Sequence, residues 1–316
     1  MPRAQLDPAL SVRVLSARAL RYTAGAPAME RAGFTPPLGE DRPAHVRAAS
    51  GLAFVGGRLA VIQDDAAFIG YVAASEVSAL ALPRGAGGRR RFEVGLGNKM
   101  EKLDLEACVA IGSELWAFGS GSAPAREKIA VVEYSVRLHD AAPVYRRLRD
   151  ELGGDVNIEG VAAVGSELWL FHRGNTGAAD LGPAIVRVAR GKLARWLAAE
   201  GPVPEVASSE RYDLGSAHGS RLGFTDAVAV GNRVFYLAAA EASANAIDDG
   251  AVVAAQLGVI EPAGVRACEL VIDGAPAKAE GLAFDPANPR HAWIAIDPDD
   301  VDEPARLYEV ELVGPW

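Results

Sequence analysis

Four segments of this chain each begin with an acidic residue and continue as a short apolar run, and these acidic residues are Glu106, Glu159, Asp226 and Glu280. Carboxylates that a fold brings together can bind a divalent cation, because hard cations prefer oxygen ligands. They can also transfer protons, because neighbouring negative charges raise the pKa of a carboxyl group. Either chemistry requires a fold that places the four segments side by side.

The segments are copies of one repeat. Residues 106–118 and 159–171 align without a gap at an offset of 53, and a further copy begins with Ser50 in place of an acid. The five equivalent positions are 50, 106, 159, 226 and 280. Each copy is an apolar run, a turn with Gly or Asn, and a second apolar run, which is typical of a β-hairpin. A third apolar run follows in every copy, at 68–72, 129–134, 184–188, 253–260 and 307–312.

Antiparallel units that recur at this spacing predict an all-β fold, a five-bladed β-propeller in which residues 1–316 form a single domain. We expect an apolar stretch at about 10–16 to add the outer strand of the last blade. This strand would close the ring and so remove exposed strand edges. A six-bladed ring is the alternative if residues 20–45 or 191–222 contain a further blade, although both stretches read as loops. Residues 143–152 read as a short helix.

The first strand of each propeller blade lines the central channel, so residues at its start lie at one mouth of that channel. The acidic residues are therefore predicted to face one axis and to bind Ca²⁺, and the predicted metal ligands are Glu106, Glu159, Asp226 and Glu280. Asp104 and Asn157 could add oxygen ligands or hydrogen bonds. The alternative is that basic side chains neutralise the acids, and the candidates are Arg47, Lys102, Arg173 and Lys278.

A second polar set follows the second apolar run of the repeats and comprises Asp64, Asp65, His172, Arg173, Glu241 and Asp297, with Asp248-Asp249-Gly250 as a further acidic turn. Strand geometry decides whether this second set lies at the same mouth of the channel as the acids at the strand starts. His172 and Arg173 are the predicted catalytic residues, because a histidine titrates near neutral pH and can transfer protons. The alternative for His172 is a polar loop residue without a catalytic role.

Composition restricts the classes of partner. A net charge of −9 and a pI near 5.2 make nucleic acid and anionic membranes unexpected partners, and a small-molecule ligand is expected. Cys108 and Cys268 lie in apolar runs without metal-site spacing. The N-terminal residues lack a signal-peptide pattern and no run is long enough to span a bilayer, which indicates a cytoplasmic protein. No P-loop, dinucleotide-binding or zinc-protease motif occurs in the sequence.

Two repeat starts, 157–161 (NIEGV) and 278–282 (KAEGL), resemble the blade starts of esterase-like phytase, gluconolactonase and strictosidine-synthase-like propellers. The whole pattern, over roughly 45–316, resembles more closely an uncharacterised bacterial propeller family. The resemblance implies a Ca²⁺ site, since clustered acids of the phytase-like relatives bind Ca²⁺ that neutralises substrate phosphate. In the gluconolactonase-like group the first-blade glutamate is a metal ligand, and Ser50 stands at that position here.

Two functional hypotheses follow from these observations. The first is a divalent-cation-dependent hydrolase of an ester, lactone or phosphoester, in which one carboxylate or His172 moves the proton. The alternative is a non-catalytic scaffold that binds a small ligand or a protein at its rims.

Overall fold

The five repeats form five antiparallel sheets in the computed structural model, which describes residues 1–23, 42–74, 76–175, 177, 179–242 and 250–316. Two strands precede the repeats, β1 (Ala4–Leu6) and β2 (Ser11–Ala19). The first blade contains β3 (Ala49–Val55), β4 (Arg58–Gln63), β5 (Phe68–Val72) and β6 (Val77–Ala81). The second contains β7 (Leu105–Ile111), β8 (Glu114–Gly119), β9 (Lys128–Val132) and β10 (Val136–Asp140).

The remaining blades follow the same plan. The third contains β11 (Ile158–Val164), β12 (Glu167–His172), β13 (Ala184–Ala189) and β14 (Val206–Arg211). The fourth contains β17 (Gly223–Val230), β18 (Arg233–Glu241), β19 (Val252–Glu261) and β20 (Gly264–Glu269). The fifth contains β23 (Ala279–Asp285), β24 (Asn288–Ile296) and β25 (Arg306–Val313).

Short elements connect the blades. They are the helices α1 (Ala142–Leu152) and α2 (Arg190–Leu197), the two small hairpins β15 (Ser216–Ala217) with β16 (Ser220–Arg221) and β21 (Val271–Ile272) with β22 (Ala275–Pro276), and three 3-10 turns at Val94–Leu96, Lys99–Glu101 and Pro124–Arg126. The predicted short helix at 143–152 corresponds to α1. Residues 191–222 form α2, the outer strand of the third blade and a small hairpin, so they hold no sixth blade.

The N-terminal segment closes the ring. β2 pairs antiparallel with β25 and completes the fifth blade as its outer strand, which confirms the prediction for residues 10–16. β1 pairs parallel with β20 and adds a fifth strand to the fourth blade, a contact that the sequence pattern did not indicate. The first residues of the chain thus join two blades that are built from its last hundred residues.

The apolar runs are buried on both faces because each blade packs between two others. Five apolar clusters occupy the five spaces between neighbouring blades. The cluster between the second and third blades includes Phe118 and Leu170, and Tyr145 and Leu148 of α1 extend it outwards. Burying one such side chain stabilises the fold by about 1.5–3 kcal/mol, so the interblade surfaces are the main source of stability.

Each innermost strand carries a β-bulge close to its start. The pairing of the first strand with the second skips one residue in every blade, and the skipped residues are Ser50, Glu106, Glu159, Thr225 and Glu280. A bulge leaves the extra residue out of the ladder and changes the direction of its side chain. The same five positions of the ring therefore receive two hydroxyl groups and three carboxylates.

Thr225 and not Asp226 is the fourth member of this set. The alignment that placed Asp226 in register with the three glutamates is wrong by one residue. The turn glycines give the reason: Gly112 follows Glu106 by six residues, and Gly231 follows Thr225 by the same number. Counting back from the turn identifies the bulge correctly, whereas matching acidic residues does not.

The residue after each bulge marks the closest approach of the inner strands. Four of these five positions hold small residues, Gly51, Ala107, Gly160 and Gly281, and the fifth holds Asp226. A Cβ atom on Gly160 would lie 2.9 Å from the backbone nitrogen of Ala227. β17 also contacts β7, although their blades are not neighbours in the ring. The channel therefore narrows at this level, and a ligand that enters from the strand starts meets the bulge residues first.

Replacing Gly160 with alanine tests this close approach. We expect Gly160→Ala to lower the free energy of unfolding by about 1–3 kcal/mol, because the added methyl group would overlap the backbone of the fourth blade. Gly191→Ala in α2 is the control, since its Cβ would meet no atom within 4 Å. Equilibrium unfolding in urea measures both variants, and equal stability of the two would contradict the packing described.

Candidate functional site

Described members of both polar sets lie at the same mouth of the channel. The start of the first strand is next to the end of the second, because Ala49 pairs with Gln63 and Leu105 pairs with Gly119. In the described part of the chain, ion pairs and short distances join ten carboxylates and five cations there. We call this group the charged mouth; its members are Asp64, Asp65, Glu93, Asp104, Glu106, Glu159, Glu241, Glu280, Asp297 and Asp299 with Arg47, Lys102, Arg126, Arg173 and Lys278.

Three carboxylates from the first and second blades form a compact group that we call the triad: Asp64, Asp104 and Glu106. One oxygen of each lies within 4.8 Å of an oxygen of the other two. The ammonium group of Lys102 lies among them, with Nζ 2.6 Å from Oδ2 of Asp64 and 2.5 Å from Oδ1 of Asp104. Lys102 thus partly offsets the repulsion among the three carboxylates, which would otherwise make the triad unfavourable.

Local structure holds Asp104 in the triad. Its φ of 53° lies in the left-handed region, which aspartate tolerates better than most residues and which turns the side chain towards the channel mouth. Its Oδ2 accepts a hydrogen bond from the hydroxyl of Ser120 and lies 3.1 Å from Nη1 of Arg126. Burial opposes ionisation, but the charges of Lys102 and Arg126 outweigh it and keep the pKa of Asp104 below its usual value.

Glu106 is the member of the triad with the least compensation. Burial raises its pKa well above the ordinary value, and the negative charges of Asp104 and Asp64 raise it further, while Lys102 lowers it. None of the described residues donates a hydrogen bond to its carboxylate. Solvent reaches part of the residue, which places an under-compensated acid where a ligand entering the mouth can contact it.

The third blade contributes a buried arginine between two acids. Arg173 lies 3.2 Å from Oε2 of Glu159 through Nη1 and 2.7 Å from Oε1 of Glu241 through Nη2. Asn157 donates a second hydrogen bond, of 2.6 Å, to Oε1 of Glu159. Burial raises the pKa of Glu159, and Arg173 opposes this rise. The guanidinium group thus keeps both carboxylates in one arrangement.

The fifth blade has an equivalent cation, Lys278. Its Nζ lies 3.6 Å from Oε1 of Glu280 and 3.4 Å from Oδ2 of Asp297, and it also contacts Asp299. Burial raises the pKa of Glu280 well above the ordinary value; Lys278 lowers it, and Asp297 and Glu159 raise it. The structure therefore brings three predicted acids together, since the charge of Glu159 acts on both Glu280 and Glu106.

Asp226 lies apart from these acids. Its Oδ1 accepts the N–H of Ala227 and its Oδ2 accepts the N–H of Leu282, both at 2.7 Å. These donors belong to the inner strands of the fourth and fifth blades, and the N–H of Leu52 on the inner strand of the first blade lies close enough to lower the pKa of Asp226. Burial raises the pKa of Asp226 well above the ordinary value, and the backbone hydrogen bonds oppose this rise. Asp226 thus joins three strands across the axis.

His172 is fully enclosed, with 1% of its surface exposed. Its Nδ1 accepts the backbone N–H of Asn157 at 3.1 Å, so its proton is at Nε2, which lies 3.2 Å from Oδ2 of Asp180. A role in proton transfer stays a prediction and would require one of these two contacts to break. In the arrangement described, His172 positions Asn157, which in turn positions Glu159.

Arg47 forms ion pairs with one acid of the first blade and one acid of the loop that follows this blade. Its Nη2 lies 2.9 Å from Oδ2 of Asp65 and 3.0 Å from Oε2 of Glu93. Glu93 and Arg126 were not found from the sequence, because they lie in loops outside the repeat and no spacing identifies them. Asp248 and Asp249 of the predicted acidic turn lie outside the described residues.

Fold and site together define a class: a five-bladed β-propeller with a charged group at one mouth of its channel. The chain belongs to DUF6929, a family of unknown function whose model matches residues 45–312. This agrees with the resemblance to an uncharacterised propeller family, while the likeness to phytases stays a prediction. No curated protein matches the chain in sequence.

The chain is also similar to solved structures at low identity. The chain is similar to the glutaminyl cyclase of Myxococcus xanthus, with a TM-score of 0.51 and 9% identity over 100% of this chain and 99% of that chain. A putative gluconolactonase has a TM-score of 0.44 at 14% identity, over 98% of this chain and 96% of that chain. Among the described residues, no helix combines the length and apolar character needed to cross a membrane.

The bridging role of Asp226 is testable by Asp226→Asn. One acceptor oxygen becomes an NH₂ group that faces a backbone N–H, so we expect the free energy of unfolding to fall by about 1–3 kcal/mol. Chemical denaturation measures this, with the exposed Asp302→Asn as the matched control. An Asp226→Asn protein as stable as the control would show that the carboxylate does not hold the three strands together.

A pH-dependent stability follows from Asp65. Burial, together with the charge of Asp64, raises its pKa from 3.8 to about 7 in spite of Arg47. The folded state then binds the proton more tightly than the unfolded state, so Asp65 makes stability fall as pH rises from about 4 to 7. We expect Asp65→Asn to reduce this fall, as measured by melting temperature against pH. The exposed Asp155→Asn should leave the profile unchanged, and an unchanged profile in Asp65→Asn would count against the raised pKa.

Proposed function

We propose that this protein is a divalent-cation-dependent hydrolase whose site is the charged mouth, and that it acts on an ester, a lactone or a phosphoester. The observation that carries the proposal is the triad, in which three carboxylate oxygens from two blades lie within 4.8 Å of one another. Ca²⁺ is the proposed ion, because all donors in the triad are oxygen atoms.

The triad fits such an ion in spacing and in charge. Ca²⁺ holds oxygen ligands at about 2.3–2.6 Å, so two ligands of one ion are at most about 5 Å apart. Oδ1 of Asp64 and Oδ1 of Asp65 are buried and accept no hydrogen bond from the described residues. A divalent cation would also offset the repulsion that raises the pKa of Glu106. Of the four ligands predicted from sequence, Glu106 belongs to the triad, and Glu159 and Glu280 lie beside it.

A bound divalent cation would supply Lewis acidity that polarises the carbonyl or phosphoryl oxygen of the substrate. The protein would hold it through Asp64, Asp104 and Glu106. We assign proton transfer to Glu280, because its carboxyl group lies in the mouth beside Lys278 and burial raises its pKa above the ordinary value, which favours a general acid. Arg173 would hold Glu159 and Glu241 in place beside it, and His172 would support that arrangement through Asn157.

The alternative is a scaffold without catalytic activity, and one observation favours it. Four of the five cations of the charged mouth each contact at least two carboxylates: Arg47, Lys102, Arg173 and Lys278. Cations of the protein then already offset much of the negative charge, and the rim would bind a small ligand or another protein.

Thermal stability in the presence of cations distinguishes the two functions. After EDTA treatment, adding Ca²⁺ is expected to raise the melting temperature of the wild-type protein, because an ion that binds only the folded state stabilises it. Glu106→Gln removes one charged ligand and should abolish most of this rise. Glu269→Gln, at an exposed position of β20, is the control with the same change of charge and should respond like the wild type.

Hydrolysis is then measured with p-nitrophenyl esters, lactones and p-nitrophenyl phosphate. We expect turnover that EDTA removes and that Glu106→Gln reduces by about 100-fold, within the range known for loss of a group that acts in the transition state. A protein that neither responds to divalent cations nor turns over any of these substrates would be assigned to the scaffold class.

A further inference from the structure

Lys102 occupies the position that a cation bound to the triad would need. Its ammonium nitrogen is within 2.6 Å of an oxygen of both Asp64 and Asp104, and only 8% of its side chain is exposed. An ammonium ion and a divalent metal ion cannot both lie this close to the same oxygens, because two positive charges a few ångströms apart repel each other strongly. Binding of a metal ion therefore requires the Lys102 ammonium to leave.

We infer that Lys102 is an internal cation that competes with divalent ions for Asp64, Asp104 and Glu106, and thereby sets which ions the site accepts. The inference rests on the proposed function, because it concerns the same triad. A monovalent ion that displaces Lys102 adds no charge and must offset the loss of two ion pairs. A divalent ion adds one positive charge, which can pair with the carboxylate of Glu106. No described residue donates a hydrogen bond to that carboxylate.

Lys278 provides a matched comparison within the same mouth. It is the other buried ammonium group of the charged mouth, and its partners are Glu280, Asp297 and Asp299. None of these acids belongs to the triad. Removing the charge of either lysine changes the total charge of the mouth equally, but only Lys102 contacts two triad carboxylates directly.

The experiment measures Ca²⁺ binding by isothermal titration calorimetry on the EDTA-treated, full-length protein. Lys102→Met keeps the apolar stem and removes the ammonium group, and we expect it to bind Ca²⁺ at least tenfold more tightly than the wild type. Lys278→Met should change the affinity by less than about threefold, because its effect acts over a longer distance. An affinity in Lys102→Met no higher than in Lys278→Met would overturn the inference.

Lys102→Met also removes the ammonium partner of the buried Asp104 and of the half-buried Asp64, which is expected to destabilise the fold. Melting temperatures are therefore measured with Ca²⁺ and, separately, with K⁺. Recovery of stability with Ca²⁺ and not with K⁺ supports the inference. Lys102→Arg keeps the positive charge and should bind Ca²⁺ no more tightly than the wild type, and tighter binding by this variant would contradict competition by charge.

The outcomes separate this inference from the proposed function. If Lys102→Met binds Ca²⁺ and the wild type does not, competition by Lys102 is supported and a cation-dependent wild-type enzyme is refuted. If both bind with equal affinity, the inference is overturned and the proposed function stands. If no variant binds Ca²⁺, the inference is also overturned, and EDTA-sensitive turnover by the wild type decides the proposed function separately.

Discussion

The close approach of five inner strands around one axis is the constraint on which this structure depends. Small residues after the bulges allow neighbouring backbones to come into contact, and Gly160 and Gly281 leave no space for a methyl group. Asp226 lies at the same level, accepts hydrogen bonds from the inner strands of the fourth and fifth blades, and lies near the backbone N–H of Leu52 on the first. Because the strands are this close, charged residues from different blades meet at the strand starts, as Asp64 of the first blade does with Glu106 of the second.

The close approach of the strands also brings carboxylates of like charge together in the charged mouth. Glu106, Glu159 and Glu280 come from three blades, and the charge of Glu159 raises the pKa of both Glu106 and Glu280. Buried carboxylates of like charge are costly unless cations or hydrogen bonds compensate them. Arg173 and Lys278 supply compensation on the third and fifth blades. Lys102 does so between the first and second blades, where the triad retains an under-compensated glutamate.

Features that depend on residues close together in the sequence were predicted more accurately than features that depend on residues far apart in it. Strand positions such as Phe68–Val72 were predicted well, because apolar runs between turn residues reflect burial on both faces. The closing strand β2 was also predicted, since an apolar run outside the repeats has few other places to pack. The residue at the bulge of the fourth blade was predicted wrongly, because a bulge shifts the side chains by one residue without changing the composition of the apolar run.

The contacts of side chains were less accessible to sequence reasoning. His172 adjoins Arg173 in sequence, yet its ring binds Asn157 and Asp180 while the guanidinium group binds Glu159 and Glu241. Lys102 was recognised as a base near an acid, but its position between two carboxylates depends on the left-handed conformation of Asp104 and on the loop that carries Asp64. Glu93 and Arg126 lie in loops that no repeat specifies.

The sequence by itself determined the repeat, the order of strands within each blade and the presence of acids at the strand starts, and it favoured five blades over six, because repeated apolar patterns and turn residues act locally along the chain. Only the tertiary structure decided which acids meet. Packing of the first blade against the second brings Asp64 beside Asp104 and Glu106, and a backbone hydrogen bond from Leu282 holds Asp226 near the axis.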